Sequence, residues 1–555
     1  MASFPHTRWR CSKVSTNWDT AFSFQKANLA RFHAKPSSLK AAVVRSSLLP
    51  FLRNYRNHQS DHRLRPEDLD RRVNILNKWW TGLLELLHGR NNQSISPTER
   101  PAIFDAIVGI MERPEWRLAP SPFCPLRDKK SSKPCSRSAS STSLSSDGSD
   151  FLQESINHNI RNNFVQNLLA QVNFVVSRMS DRSAPASLVH FCGRTCAYAF
   201  FFCEGIADVL VRLWGPSMDL LKRVVAEAGL QGLATLGATS KHVVSGFPPS
   251  VRSLEFTGLA STYRKLRKPV SPPLGTHDAP WNSSMWISRW NGTESELFYV
   301  FVKHYHLLLM DFLPEQLSKK ERLTAPGVAM VHAQILANID ATINRQAIMQ
   351  IEALMGPSNI TFDDVLNDAD ATAPTLSFAL TSNANRQMAE NRVIMLVRDF
   401  LSDRNPMSAR RVFAEAFSDV LKAAARRTSV FNQNACYTLC DFLEEAVVIL
   451  VRYEQSAELE HSVLDFPFWL DVFKRMVQSQ NTTTEIRLYS LLYSLWPSIT
   501  VDSCRKRDLC RVLLLEPEFF NGRFNHWCPM VRAYYMRLLA WRVGRYDGDG
   551  EPRDM

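Results

Sequence analysis

The run Glu67-Asp-Leu-Asp-Arg-Arg-Val-Asn-Ile-Leu-Asn-Lys-Trp-Trp-Thr-Gly-Leu-Leu-Glu-Leu-Leu-His-Gly89 decides the fold class. Its apolar groups fall at Leu69, Val73, Leu76, Trp80, Leu83 and Leu87, in steps of four, three, four, three and four. That spacing lines one face of an α-helix, whereas a half-buried strand alternates every second residue. Glu67 and Asp68 stand where the helix dipole favours negative charge, and Gly89 stands where a left-handed cap is expected.

The same period recurs on both sides. Ser96-Pro97-Thr98-Glu99 reads as a capping box with proline at the first helical position, opening a helix that must stop before Pro114. Thr361 ahead of Asp363 and Asp364 marks another start. Further helices are expected over about 152–179, 186–213, 218–229, 295–313, 326–352, 386–402, 408–426, 434–454, 467–478, 484–496, 505–515 and 529–544. The chain has no sustained two-residue alternation and no Asn-Gly or Asp-Gly turn between β-branched runs, so a sheet is not supported.

After residue 386 the expected helices start roughly every 20–30 residues, the rhythm of HEAT or armadillo helix pairs. Pro529-Met530-Val531-Arg532-Ala533, leading to Met536 and Leu539, resembles the start of a HEAT repeat's second helix. The expected fold is therefore all-α, an irregular α-solenoid of antiparallel helix pairs, with a non-repeating helical bundle as the alternative.

Composition divides the 555 residues. Residues 1–36 read as a basic, largely disordered arm and 37–127 as a helical region. Residues 128–150 form a serine-rich linker with too few apolar groups to offset ordering entropy. Residues 151–263 are helical again, 264–294 are a Pro/Trp-rich loop, 295–546 are the C-terminal helical-repeat region, and 547–555 are a tail. An acidic, then Ala/Thr/Ser-rich break interrupts the last region from Leu366 to Ala384.

The net charge of +12 is concentrated. Residues 1–65 hold twelve Lys and Arg against only Asp19 and Asp61, so the rest of the chain is near neutral. A basic arm on a neutral body disfavours groove binding of nucleic acid and leaves acidic partners or anionic lipid as its targets. Eleven cysteines, odd in number and set in apolar helical patterns, point to a reducing compartment and buried thiols. The reading is an intracellular, cytoplasmic protein, which makes the glycosylation triplets at Asn282 and Asn291 irrelevant. The acid-poor N-terminus resembles a mitochondrial transit segment only faintly, and it lacks the apolar core of a secretory signal. Cys196-Ala-Tyr-Ala-Phe-Phe-Phe-Cys203 is the most apolar stretch, but Arg194 and Glu204 close it far short of a membrane span. It reads as a core helix.

No motif carries catalysis or a cofactor. Gly232-Leu-Ala-Thr-Leu-Gly237-Ala238-Thr239 places Ala238 where a phosphate loop needs lysine. Cys192, Cys196 and Cys203 lie on one helical stripe with His190 nearby, and Cys436 and Cys440 repeat the four-residue step. Packed thiols explain both better than zinc does. His304 and His306 are two apart and cannot chelate together from a helix. The expectation is no enzyme, no cofactor, no metal and no small-molecule substrate. Arg264, Lys265, Arg267 and Lys268 are the candidate anionic-surface contact, against the alternative of a solvated loop edge. Trp281, Trp286 and Trp290 are candidate partner anchors, against the alternative that they pin their loop to the core.

Several segments together resemble a fungal family known as domain of unknown function 1765. They are Arg45-Ser-Ser-Leu-Leu-Pro-Phe-Leu-Arg53, Ser96 to Arg100, Met111-Glu-Arg-Pro-Glu-Trp-Arg117, Asn167-Leu-Leu-Ala-Gln171, Arg182 to Cys203, and Val531-Arg-Ala-Tyr-Tyr-Met-Arg-Leu-Leu-Ala-Trp541. The resemblance covers about residues 37–546 and implies a fungal intracellular protein. Some members carry a membrane label, which the charge interruptions here do not support. It implies no catalytic residue, cofactor or partner. The function expected is a non-catalytic helical scaffold or adaptor that binds other proteins. The alternatives are a peripheral membrane protein contacting acidic lipid and an enzyme with an unrecognised site.

Overall fold

Among the described residues every regular element is helical, so the fold class is all-α. The computed structural model describes residues 12–55, 64–89, 96–131, 147–230, 237–355, 388–459 and 461–544. The chain divides into two units, Met1–Pro216 with Leu233–Ala329, and Ser217–Gly232 with Met330–Met555.

In the first unit, the helix Pro66–His88 buries every apolar residue of the deciding stripe, from Leu69 to Leu87. Its end differs from expectation: Gly89 caps it with φ −51°, not in the left-handed region. The capping box is also absent as such. Thr98 turns its backbone N–H to Ser96 Oγ at 3.4 Å, Pro97–Glu99 form a turn, and the helix begins at Arg100 with Pro101 in its first turn. It stops at Met111, short of Pro114.

The N-terminal arm is helical from Ser12 to Ala34, where disorder was expected. Phe22, Gln25, Asn28, Leu29 and Phe32 are buried at near-helical intervals, while Lys26, Arg31 and Lys35 face solvent. Phe22 meets Phe51 edge-on at 5.2 Å, and Phe32 lies 5.1 Å from Trp79. Basic composition hid an amphipathic stripe.

The helix Ala186–Phe202 forms the centre of this unit, packed against Asp147–Met179, Leu297–Phe312 and Arg100–Met111. All eight residues from Cys196 to Cys203 are buried. The single helix expected over 186–213 is two, because Cys203 is extended and Gly205 takes φ +80° before Ile206–Trp214 begins. Ser250 donates to the freed Phe201 carbonyl at 2.6 Å. Polar groups inside the core are joined. Trp80 donates to Gln171 Oε1 at 3.0 Å, and the Gln171 amide donates to Thr195 at 2.6 Å, linking three helices.

The second unit takes in a piece of distant sequence. Helix Met218–Glu227, capped by Ser217, packs on Met407–Arg427. Arg223 grips Asp340 at 2.6 and 3.0 Å and the Ala423 carbonyl at 2.9 Å, and Arg426 pairs with Glu227. Most of the remaining helices start at a side-chain cap. Asn432, Asp465, Asn481, Asp502 and Glu516 each accept a backbone N–H of their helix's first turn. The helices starting at Arg392, Gln433, Thr482 and Pro529 pack each on the next, with starts about 40–50 residues apart.

Most of the serine-rich linker, the Thr361 helix start, the break from Leu366 to Ala384, the tail from residue 547 and the Gly232–Leu236 part of the glycine loop lie outside the described residues. The segment 264–294 is not wholly a loop, since it holds the end of helix Leu259–Leu266 and the helix Ser284–Asn291.

Candidate functional site

The three tryptophans expected to anchor a partner are buried, which corrects that reading. Trp286 stacks on Trp290 at 5.6 Å, Trp290 stacks on Trp214 at 5.3 Å, and Trp281 meets Trp286 edge-on. Trp281 donates to the Thr276 carbonyl at 2.9 Å and Trp290 to the Leu210 carbonyl at 3.0 Å. Loops rich in proline cannot bond their own backbone regularly, so large rings and indole donors tie this one to the core. Between the rings, Arg289 donates to the carbonyls of Met179, Asp181 and Arg182, closing the end of helix Asp147–Met179.

The basic run sits differently. Arg264, Arg267 and Lys268 are exposed and Lys265 is half-buried at the end of Leu259–Leu266. Arg212 donates to the backbone carbonyls of Lys265 and Lys268, fixing the run's backbone and leaving the side chains outside.

Of the chemistry-bearing residues singled out in the first unit, Cys192, Cys196, Cys203 and His306 are buried and His190 is exposed. Burial pushes the Cys192, Cys196 and Cys203 thiols well above their ordinary value. His306 is buried, its Nδ1–H donating to the Val302 carbonyl at 2.8 Å, and His304 is half-buried. In the second unit, burial pushes the Cys440 thiol up to about 12 and Cys436 to about 11. Among the described residues no group of His, Cys, Asp and Glu is arranged to hold a metal ion.

Three arginines, Arg487 and Arg505 buried and Arg523 half-buried, cross-link helices of the second unit. Arg487 meets Asp441 at 2.7 Å and Glu444 at 2.6 Å. Arg505 meets Glu454 at 2.7 Å, and that carboxylate also accepts the backbone N–H groups of Val463 and Leu464. Arg523 meets Glu485 at 3.2 Å. Burial raises the Asp441 carboxyl against the pull of Arg487, and Cys440, Asp441 and Glu444 outweigh burial to keep the guanidinium charged.

Two surfaces of this unit are open. One is a groove of about 470 Å³ between the end of Met407–Arg427, the start of Gln433–Ser456 and helix Phe466–Gln478. Its lining includes Cys436, Leu439, Phe468, Val472 and Met476, and Phe431 stands at its edge, 83% exposed. The other is the end of the unit over residues 501–543, where Trp527 is 77% and Trp541 60% exposed beside Phe524, Met530 and Met536. Sequence reading passed over Phe431, Trp527 and Trp541. The signal for the last was present: Pro529–Leu538 and the turn after it are apolar on more than one face, whereas a surface helix is apolar on one.

Both surfaces and all three arginine pairs lie almost entirely in one stretch of similarity. Residues 417–543 match the family model described as Protein of unknown function (DUF1765). A fission yeast (Schizosaccharomyces pombe) protein named as a UPF0592 membrane protein is 23% identical over 523 residues, which make up 93% of this chain and 52% of that protein. The chain spans about half the length of the curated relative it matches. No solved structure matches. The resemblance read from the sequence is thus shown: the chain is similar to an uncharacterised family with a fungal member. The DUF1765 match ends at Val543, the last residue of the helical turn that carries Trp541. Among the described residues no helix is long and apolar enough to cross a membrane.

Proposed function

We propose that the chain is a non-catalytic helical scaffold, an irregular stack of helix pairs in which surface is the working part. The observation that carries this reading is the open, apolar-lined groove with Phe431 exposed at its edge, set against the buried Cys192, Cys196, Cys203 and His306. A helix stack of this spacing presents its loops and grooves to other proteins, and a partner's apolar side chain would displace water from Phe431, Phe468 and Val472. Partner capture from native cells tests it. Wild type should recover a stoichiometric protein, and Phe431→Glu with Val472→Glu should lose it while melting normally. Equal recovery by wild type and variant, or turnover abolished by one polar substitution, refutes the reading.

The second reading is peripheral membrane association, favoured because the fission yeast relative is named a membrane protein and the exposed Trp527 and Trp541 stand among arginines. Arg264, Lys265, Arg267 and Lys268 are its alternative contact. Vesicle sedimentation decides it, and failure of the wild-type chain to sediment with acidic vesicles rejects it.

A further inference from the structure

The last described helix shows two apolar faces. Val531, Tyr535 and Leu538 are buried, and the helix packs on Thr482–Ile499. Met530, Ala533, Met536 and Ala540 recur at three- and four-residue steps on the side that faces solvent, and the exposed Trp541 follows. Trp527, on the loop before Pro529, extends the same end of the unit. Large exposed apolar groups gathered at one end of a unit mark a contact surface.

Charge identifies what covers it. Arg511, Arg532, Arg537 and Arg542 all lie here, and among the described residues none of the four pairs with a carboxylate. They are held by other means. Arg542 lies over the Tyr493 ring at 4.3 Å and donates to its carbonyl at 3.1 Å, Arg537 lies over the same ring at 5.3 Å, and Arg532 donates to the His526 carbonyl. Of the described acids nearest in sequence to Arg511, Glu516 caps helix Pro517–Phe524 and Asp508 meets Arg507. A second copy of the chain would set guanidinium against guanidinium. Indole rings beside guanidinium groups that meet no carboxylate among the described residues match the boundary of an acidic bilayer, where indoles sit at headgroup depth and cations meet phosphate.

We propose that the end of the second unit, residues 501–543, seats on an anionic membrane surface, with Trp527 and Trp541 entering the headgroup boundary and Arg511, Arg532, Arg537 and Arg542 meeting lipid phosphates. This rests on the peripheral-membrane reading and moves its contact away from Arg264–Lys268. The helix lies in the interface plane and does not span the bilayer.

The full chain is sedimented with phosphatidylcholine vesicles, with and without phosphatidylserine. Wild type should pellet only with the acidic vesicles and release as salt rises. Arg511→Glu with Arg537→Glu, and separately Trp527→Ala with Trp541→Ala, should each weaken binding by about tenfold or more, since all four side chains are exposed or nearly so and each cation near such a surface contributes severalfold. Alanine at Arg264, Lys265, Arg267 and Lys268 should leave binding unchanged. Brominated lipid should quench part of the wild-type tryptophan fluorescence and none in Trp527→Phe with Trp541→Phe. If the quadruple alanine variant alone abolishes binding, this inference falls and the membrane reading stands. If wild type binds no vesicle, both fall, and binding of an acidic polypeptide in place of vesicles overturns the lipid assignment in favour of a protein partner.

Discussion

Acidification should weaken the first unit through one imidazole. His306 lies on helix Leu297–Phe312, 2% exposed, with the Tyr305 ring edge-on at 5.3 Å. Burial disfavours its charged form and brings its pKa down to about 4 from the ordinary 6.5, the bond to Val302 opposing only in part. Between those values the unfolded chain carries the proton and the folded chain does not. Stability from this group is therefore full above pH 6.5 and is lost as pH falls toward 4, about 3 kcal/mol in all. Carboxylates titrate over part of the same range, so the comparison is with His306→Leu, which fills similar space and cannot take a proton. Urea unfolding of the full chain at a series of pH values, with hydrogen exchange read on the Leu297–Phe312 amides, separates this unit from the other. The wild-type curve should fall more steeply than the variant's between pH 6.5 and 4, so that the gap between them widens by about 3 kcal/mol and then holds below pH 4. Parallel curves would show that His306 is charged or solvated in the fold and would refute the reasoning.

Phe201→Asp should abolish soluble expression, because Phe201 is fully buried against Tyr305 and Phe312, and losing the ring costs about 3–5 kcal/mol before the stranded carboxylate is counted. A normally melting variant would show that segment exposed. Gly193→Ala puts a Cβ 2.6 Å from Val300 Cβ and Cγ1, forcing two core helices apart at about 1–3 kcal/mol, read as a lowered melting temperature; Val300→Ala should not rescue it, since its Cβ remains. Arg487→Met leaves Asp441 and Glu444 unpaired and should cost about 3–5 kcal/mol, seen as faster exchange across Gln433–Ser456; adding Asp441→Leu and Glu444→Leu should restore most of it.

What the sequence made legible was what one helix decides by itself. The stripe from Leu69 to Leu87, the proline stop at Pro114 and the proline start at Pro529 follow from local spacing and backbone chemistry, and each stands where it was expected. The departures come from tertiary context. Nothing local says that the apolar run past Phe202 must turn at Gly205, because the turn answers the packing of Phe201 and its bond from Ser250. Nothing local says that Met218–Glu227 joins helices two hundred residues away, because that choice rests on Arg223 finding Asp340 and the Ala423 carbonyl. Residues 12–34 depart from the expected disorder because Phe22, Leu29 and Phe32 recur at helical spacing and find a core, which outweighs their basic neighbours.

The tryptophans show why composition alone misplaces a surface. Trp281, Trp286 and Trp290 sit in a proline-rich stretch that lacks a regular ladder, so their rings and the N–H groups of Trp281 and Trp290 are spent holding the loop, and their burial follows from that need. Trp527 and Trp541 flank a helix whose opposite face already packs through Val531, Tyr535 and Leu538, so no core demand remains for them. An aromatic residue is free to serve a partner only where neighbouring backbone and apolar groups are satisfied without it. By that criterion the two surfaces proposed to meet a target, around Phe431 and along 501–543, are free of core demand. The arginine pairs behind them hold the helices in register. Substitutions at Arg487, Arg505 or Arg523 would then weaken both surfaces together by loosening the unit, whereas Phe431→Glu and Trp527→Ala should act on one surface each. That separation distinguishes a residue that shapes the scaffold from one that meets its target.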